Sequence, residues 1–144
     1  MASNQNWNKP AWDERNRQVI DQFRANGGKV GDGKTPHLLL TTTGAKSGVT
    51  RVNPLHYSTD GERFIVIASK GGSATHPDWY YNLVAHPVVT VEVGAERYQA
   101  QASVAEGQER ERLYQQHATL MPHFAGFQKK TRRQIPVVIL ARIR

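Results

Sequence analysis

Residues 36–68 read PHLLLTTTGAKSGVTRVNPLHYSTDGERFIVIA. The run Leu38-Leu39-Leu40-Thr41-Thr42-Thr43 is β-prone, and Gly44-Ala45-Lys46-Ser47-Gly48 after it has turn composition. Arg51–Ser58 reads as a second strand. Pro54 lies inside it and cannot donate to a ladder, so this strand belongs at an edge or at a bulge. Asp60-Gly61 is a hairpin signal. Phe64, Ile65, Val66, Ile67 and Ala68 then form a third strand, apolar at every position and therefore expected to be buried on both faces. Three strands joined by two tight turns make an antiparallel start.

The flanking sequence extends this pattern. Residues 1–9 are polar and are expected to fray. Pro10 suits the first turn of a helix. Trp12, Val19, Ile20 and Phe23 fall on one stripe at helical period, and Gly27-Gly28 ends that helix. Gly27–Pro36 is a loop. Beyond Ala68, a Gly-rich loop reaches Pro77, and PDWYYNLVA (77–85) reads as a short helix. Val89, Val91 and Val93 alternate with Thr90 and Glu92 in a fourth strand. Gly94-Ala95-Glu96 turns it into a fifth, Tyr98–Val104. Glu106–Leu120 is a charged helix with Leu113, His117 and Leu120 on one side. Pro136–Ile143 is the last strand.

The expected fold is mainly β (α+β), with about six mostly antiparallel strands, an N-terminal helix and two to three peripheral helices. No β-α-β period of about 30 residues appears, which argues against a doubly wound parallel sheet. Hairpin-rich order with one late returning strand suits a closed or partly closed barrel. One domain is expected over 1–144, with a tail and helix at 1–27 and a barrel at 36–144.

Composition narrows the function. The chain has 144 residues and is 38% hydrophobic before its 12 glycines are counted. That is ordinary for a globular domain and excludes disorder and collagen-like classes. The absence of cysteine excludes disulfide scaffolds, thiolate metal sites and a Cys nucleophile, and suits a reducing compartment. No apolar run approaches about 18 residues, and the first 25 lack an apolar signal core, so a cytoplasmic protein is expected. The net charge of +7 and the pI near 10.0 leave nucleic acid, an anionic lipid surface or an acidic ligand as partners, or a role in solubility alone.

Gly44-Ala45-Lys46-Ser47 resembles a phosphate loop only superficially, because the Gly that must precede the Lys is Ala45. A small-residue turn carrying Lys46 and Ser47, with Arg51 downstream, is still a plausible anion cradle, or else a bare turn. The glycines of Ala68-Ser69-Lys70-Gly71-Gly72 would let a flat ligand approach the backbone, or merely mark a strand exit. Trp79-Tyr80-Tyr81 cannot all face one core, since helical neighbours diverge by about 100°. One of them should meet a ligand or partner unless all pack under loops. The six histidines show no metal-ligand spacing, so no metal is expected, and no GxSxG elbow occurs. Lys129-Lys130 and Arg132-Arg133 form the densest basic cluster, read as a solvated face or a nucleic-acid or membrane patch.

Taken in order, LLLTTTGAKSGVTRVNPL (38–55), IASKGG (67–72), HPDWYYNL (76–83) and IPVVIL (135–140) resemble the deazaflavin-dependent nitroreductase family. These are actinobacterial split-β-barrel oxidoreductases that use coenzyme F420, an 8-hydroxy-5-deazaflavin with a phosphate and an oligoglutamate tail. The resemblance runs from about Val19 to Ile143. It implies that Ala45, Lys46, Ser47 and Arg51 hold the phosphate and tail. It also implies that Val52, Asn53, Pro54, Leu55 and His56 lie along the cofactor, and that Ile67, Ala68, Ser69 and Lys70 offer backbone groups to its ring. Asp78, Trp79, Tyr80, Tyr81 and Asn82 would close the other side, with Phe124 touching cofactor and acceptor. The cofactor supplies hydride chemistry, and Ser69 is the candidate catalytic residue, a hydrogen-bond donor beside the ring.

By the same resemblance, Met121, Phe124 and Phe127 line the acceptor pocket. Family members active on nitroimidazoles tend to carry tyrosines there. Their absence implies an apolar pocket, weak or no nitroimidazole reduction, and a quinone such as menaquinone as acceptor. A membrane-soluble quinone would also give Trp7, Trp12 and Phe23 a lipid-surface role, unless the N-terminal helix is a lid on the barrel. Partners are therefore expected to be a small-molecule acceptor and peripheral membrane contact, with no nucleic acid, in a monomer or weak dimer. An FMN-type split barrel, a non-catalytic F420 carrier and a nucleic-acid-binding barrel are the alternatives.

Overall fold

The computed structural model describes residues 9–144, the side chains of residues 9, 10 and 12 excepted. The polar segment expected at 1–8, Trp7 and the Trp12 side chain lie outside the described residues. Seven strands are present among them: β1 (His37–Thr43), β2 (Thr50–His56), β3 (Ser58–Asp60), β4 (Arg63–Ile67), β5 (Val88–Val93), β6 (Glu96–Val104) and β7 (Val137–Arg142). The helices are α1 (Lys9–Ala25), α2 (Asp78–Ala85), α3 (Gly107–Leu120) and α4 (His123–Lys129). The strands form one antiparallel sheet in the order β2-β1-β5-β6-β7-β4-β3.

That order forces the sheet to curl. Its two edges, β2 and β3, are separated in the chain by Tyr57 alone. A flat seven-strand sheet would hold its edges roughly 29 Å apart, whereas one intervening residue spans at most about 7 Å. Curling brings the edges together and encloses an interior. Leu38, Leu40, Val66, Val91, Val138 and Leu140 point into it and are fully buried.

The alternate residues of β4 and β7 face outward. Ile65, Ile67, Val137 and Ile139 pack there against Leu113 and Tyr114 of α3 and Phe124 of α4. Ile65, Val66, Ile67 and Ala68 are thus buried on both faces as expected, alternating between the two clusters, while Phe64 at the start of the run is half-buried. On the far side, Phe23 of α1 is buried, and Arg24 Nη2 donates to Glu92 Oε2 of β5 at 2.9 Å. The Gly28 backbone meets the β5–β6 turn so closely that a Cβ would lie 2.6 Å from Gly94 Cα, so only glycine fits.

Beyond shifts of one or two residues at strand ends, the strand count and the start of the first helix differ from the sequence reading. Seven strands replace about six, because the run read as Arg51–Ser58 changes partners at Tyr57. Thr50–His56 pairs with β1, and Ser58–Asp60 pairs with β4. The first helix begins at Lys9, inside the segment expected to fray. Pro54 does lie on an edge strand, opposite Leu39.

Candidate active site

The open side of the barrel forms a cleft of about 1690 Å3 walled by β2, α2, α4, α1 and the loops after β1 and β4. This exceeds the roughly 300–1,000 Å3 that suits a drug-sized ligand, leaving room for a large ligand and a second molecule.

One end is cationic and is built by a tied turn. The Gly44 N–H donates to the Val49 carbonyl at 2.8 Å, and the Gly48 N–H to the Gly44 carbonyl at 3.0 Å. A Cβ at Gly44 would fall 2.4 Å from Ser47 Oγ and 3.1 Å from the Val49 carbonyl oxygen, so any larger residue there would displace the Ser47 hydroxyl and crowd the turn. Ser47 Oγ accepts from the Val49 N–H at 3.1 Å. Asn82, buried on α2, holds the turn from below. Its Oδ1 accepts from the Ala45 N–H at 3.0 Å, and its Nδ2 donates to Thr42 Oγ1 at 3.1 Å. Lys46 and Arg51 are exposed on this end, and neither has an acidic partner among the described residues.

The middle of the cleft is bounded by the segment after β4. Ala68 is fully buried and Ser69 nearly so. Lys70, Gly71 and Gly72 then take φ of 47°, 66° and 82°. Three consecutive left-handed residues turn the chain sharply, and two of the three are the residue type that adopts this region freely. Gly72 also needs the space, because a Cβ would lie 3.0 Å from the Phe127 carbonyl. Ser69 lines the cleft, and its Oγ makes no hydrogen bond to any described residue, which leaves a hydroxyl available to a ligand.

Across the cleft stands α2. Trp79 is buried in the barrel interior, Tyr80 is half-buried and Tyr81 is 49% exposed. The three aromatics diverge as their helical spacing requires. Asp78 and Asn82 are on the same wall.

The other end is aromatic. Phe124 and Phe127 stack edge to face with centroids 5.3 Å apart. Met121 is buried beneath them in the outer core and does not reach the cleft wall. This end is not purely apolar. His123 contacts both phenylalanines at 4.6 and 5.6 Å, and His56 lies 5.6 Å from His123. His37 is 4.5 Å behind His56. Burial, with His37 and His123 nearby, lowers the His56 pKa to about 4, so this imidazole is neutral at pH 7.

His117 lies behind Phe124, fully buried, with centroids 4.5 Å apart. Its Nδ1 is 2.7 Å from Ser58 Oγ, and its Nε2 has no hydrogen-bond partner among the described residues. Burial, then the neighbouring His56 and His123, lowers its pKa to about 4 as well.

The cleft thus gathers Lys46, Ser47, Arg51, Val52, Asn53, Pro54, Leu55, His56, Ile67, Ser69, Lys70 and the α2 residues with Phe124 and Phe127. Ala68 contributes backbone behind the wall. The histidine grouping was missed in the sequence, although part of it is legible there. A hairpin registered as Thr43 opposite Thr50 places His37 opposite His56. Arg133 was read with a basic face. It instead points inward, with its guanidinium hydrogen-bonded to Ala68 O, Ser69 O and Ser73 O. No local signal announces that, because its partners lie some 60 residues away.

Comparison with known proteins agrees with this architecture. The family model for F420H(2)-dependent quinone reductase matches residues 15–142. An F420H(2)-dependent quinone reductase of Mycobacterium tuberculosis (strain ATCC 25618 / H37Rv) is 37% identical over 126 residues, covering 83% of this chain and 85% of that protein. Among solved structures, an F420-H2 dependent reductase (FDR-A) superposes with a TM-score of 0.68 at 42% identity, over 73% of this chain and 93% of that one. A domain-swapped dimer superposes with a TM-score of 0.70 at 37% identity, over 92% of this chain and 99% of that one. With a curled split-barrel sheet and a match over nearly its whole length, the chain belongs to the F420H(2)-dependent quinone reductase family of oxidoreductases.

Proposed function

We propose that this chain binds coenzyme F420 along the cleft and passes the hydride of its reduced form to a quinone such as menaquinone. The observation that carries the reading is the polarity of the cleft from end to end. Two exposed cations on a turn tied by Asn82 fit a phosphate and a glutamate tail. The middle, with a Ser69 hydroxyl that bonds to no described residue and a sharply turned backbone, fits a flat polar ring. The aromatic end fits an apolar acceptor. The residues present therefore suit the group, which supplies two-electron hydride chemistry when bound.

In this reading Lys46, Ser47 and Arg51 hold the anionic part, while Val52–His56 and α2 clasp the two faces of the cofactor. Ser69 donates a hydrogen bond at the ring. Phe124 and Phe127 exclude water from the acceptor. Nitroimidazoles are poor acceptors here, because the tyrosine hydroxyls of nitro-reducing relatives are replaced at these positions.

A quinone acceptor also favours a cytoplasmic protein that visits the membrane through α1, as a monomer or weak dimer. Among the described residues no helix is long and apolar enough to cross a membrane. Phe23 is buried against the barrel, so such contact would rest on the exposed face of α1. Co-sedimentation with anionic vesicles at low salt tests it; recovery of all protein in the supernatant refutes it. The cofactor assignment is tested by titrating the protein with oxidised F420, FMN and a single-stranded oligonucleotide. Saturable micromolar binding of F420 alone is expected, and preferential binding of FMN or the oligonucleotide would refute it.

A further inference from the structure

Arg133 follows α4 and lies behind the cleft wall. Its Nε donates to the Ser73 carbonyl at 2.9 Å, and its Nη2 to the Ser69 carbonyl at 2.8 Å. Both Nη atoms lie 3.2 Å from the Ala68 carbonyl, and Nη1 is 2.8 Å from His76 Nδ1. One planar fork thus fastens three carbonyls and one imidazole of a single loop. In a trans peptide the N–H points opposite to the C=O. Fastening the carbonyls of Ala68 and Ser69 toward Arg133 therefore aims the N–H groups of Ser69 and Lys70 away from it. Ser69, Lys70 and Gly71 line the cleft on the other side.

We propose that Arg133 is the positioning residue of the cofactor wall. It holds segment 68–73 so that backbone donors, not carbonyls, meet the carbonyl-bearing edge of the deazaflavin ring. This rests on the F420 reading above. Only a fork donor serves, since a lysine ammonium cannot span the three carbonyls in one plane.

His76 makes the arrangement sensitive to pH. To accept from Arg133 its Nδ1 must be unprotonated, and a protonated His76 would set two cations 2.8 Å apart. Burial, then the Arg133 charge, already lowers the His76 pKa. Tyr80 and Tyr81 pack on its ring at 4.6 and 5.5 Å. Asp78 lies two residues on, and Lys70 Nζ meets Thr75 Oγ1 at 3.2 Å.

The test is the Kd of oxidised F420, read by its fluorescence from pH 8 to pH 5, with amide hydrogen exchange of residues 68–76 in the protein without cofactor. Arg133→Gln should raise Kd at least ten-fold and speed exchange in that segment. Arg133→Lys should recover only part of the loss. His76→Gln, whose side-chain oxygen still accepts from Arg133, should match wild type within two-fold at pH 8. It should lose the component of the acid weakening that wild type shows. Wild-type affinity and exchange in folded Arg133→Gln would overturn the role. So would full rescue by Arg133→Lys, which also covers the case in which Arg133→Gln does not fold. Absence of F420 binding by wild type would overturn the cofactor assignment, and exchange in the unliganded protein would still decide whether Arg133 shapes the segment.

Discussion

Replacing Asn82 by alanine should destabilise the fold and loosen the anion-binding turn together. Asn82 is 8% exposed and Thr42 is 1% exposed. The substitution removes the acceptor of the Ala45 N–H and the donor to Thr42 Oγ1. Ala45 is exposed, so its N–H turns to water and the loss there is about 1 kcal/mol. Thr42 Oγ1 is left buried without that partner, which costs about 1–3 kcal/mol more. The sum is about 2–4 kcal/mol. For a chain of this size each kcal/mol shifts Tm by roughly 2–4 °C, so Tm should fall by about 10 °C. Urea unfolding should show the same loss as a lower midpoint at unchanged slope. A double-mutant cycle with Thr42→Val should give a coupling of about 1–2 kcal/mol, because the second substitution removes the orphaned hydroxyl. The Kd of F420 should rise about ten-fold as the turn is freed. A Tm within 2 °C of wild type, or strict additivity with Thr42→Val, would refute the reasoning.

Other consequences are as direct. Lys46→Ala should weaken binding of F420 more than that of an analogue without the glutamate tail, measured by fluorescence titration; equal losses would remove Lys46 from the anionic part. His117 has a folded pKa of about 4 against 6.5 unfolded, so its contribution is complete above pH 6.5 and is lost as pH falls from 6.5 to 4. The loss is on the order of 3 kcal/mol. Urea unfolding at pH 7 and pH 4.5 should show it, and His117→Phe should flatten the slope; an unchanged slope would contradict it. The double substitution Phe124→Tyr and Phe127→Tyr should raise nitroimidazole turnover several-fold, read as oxidation of reduced F420, and no gain would remove these positions from acceptor selection.

Much of this architecture was legible because it is local. The Thr43–Thr50 hairpin, the alternation of Val89, Val91 and Val93, and the apolar Phe64–Ala68 run, buried from Ile65 on, are written in short-range pattern. The corner at Tyr57 was not, because the Arg51–Ser58 run is extended throughout and only a change of distant partner divides it. Helix α4 was not read as a helix either, since HFAGFQK follows a proline, contains Gly126 and shows no repeated stripe. For the site, cation positions and wall residues followed from turn chemistry and from the family resemblance. The imidazole cluster and Arg133 depend on long-range packing. Arg133 also bears on the basic excess: one member of its densest cluster is used inside the fold, whereas Arg17, Lys46, Arg51 and Lys70 line the cleft.

The central claim is hydride transfer to a quinone on a bound deazaflavin. The most direct measurement is anaerobic mixing of the protein, reduced F420 and menaquinone, following the return of the oxidised cofactor's visible absorbance. Saturable, protein-dependent oxidation is expected, reduced at least ten-fold by Lys46→Ala at limiting cofactor. Oxidation no faster than without protein, despite tight cofactor binding, would contradict the account and make this chain a carrier of F420.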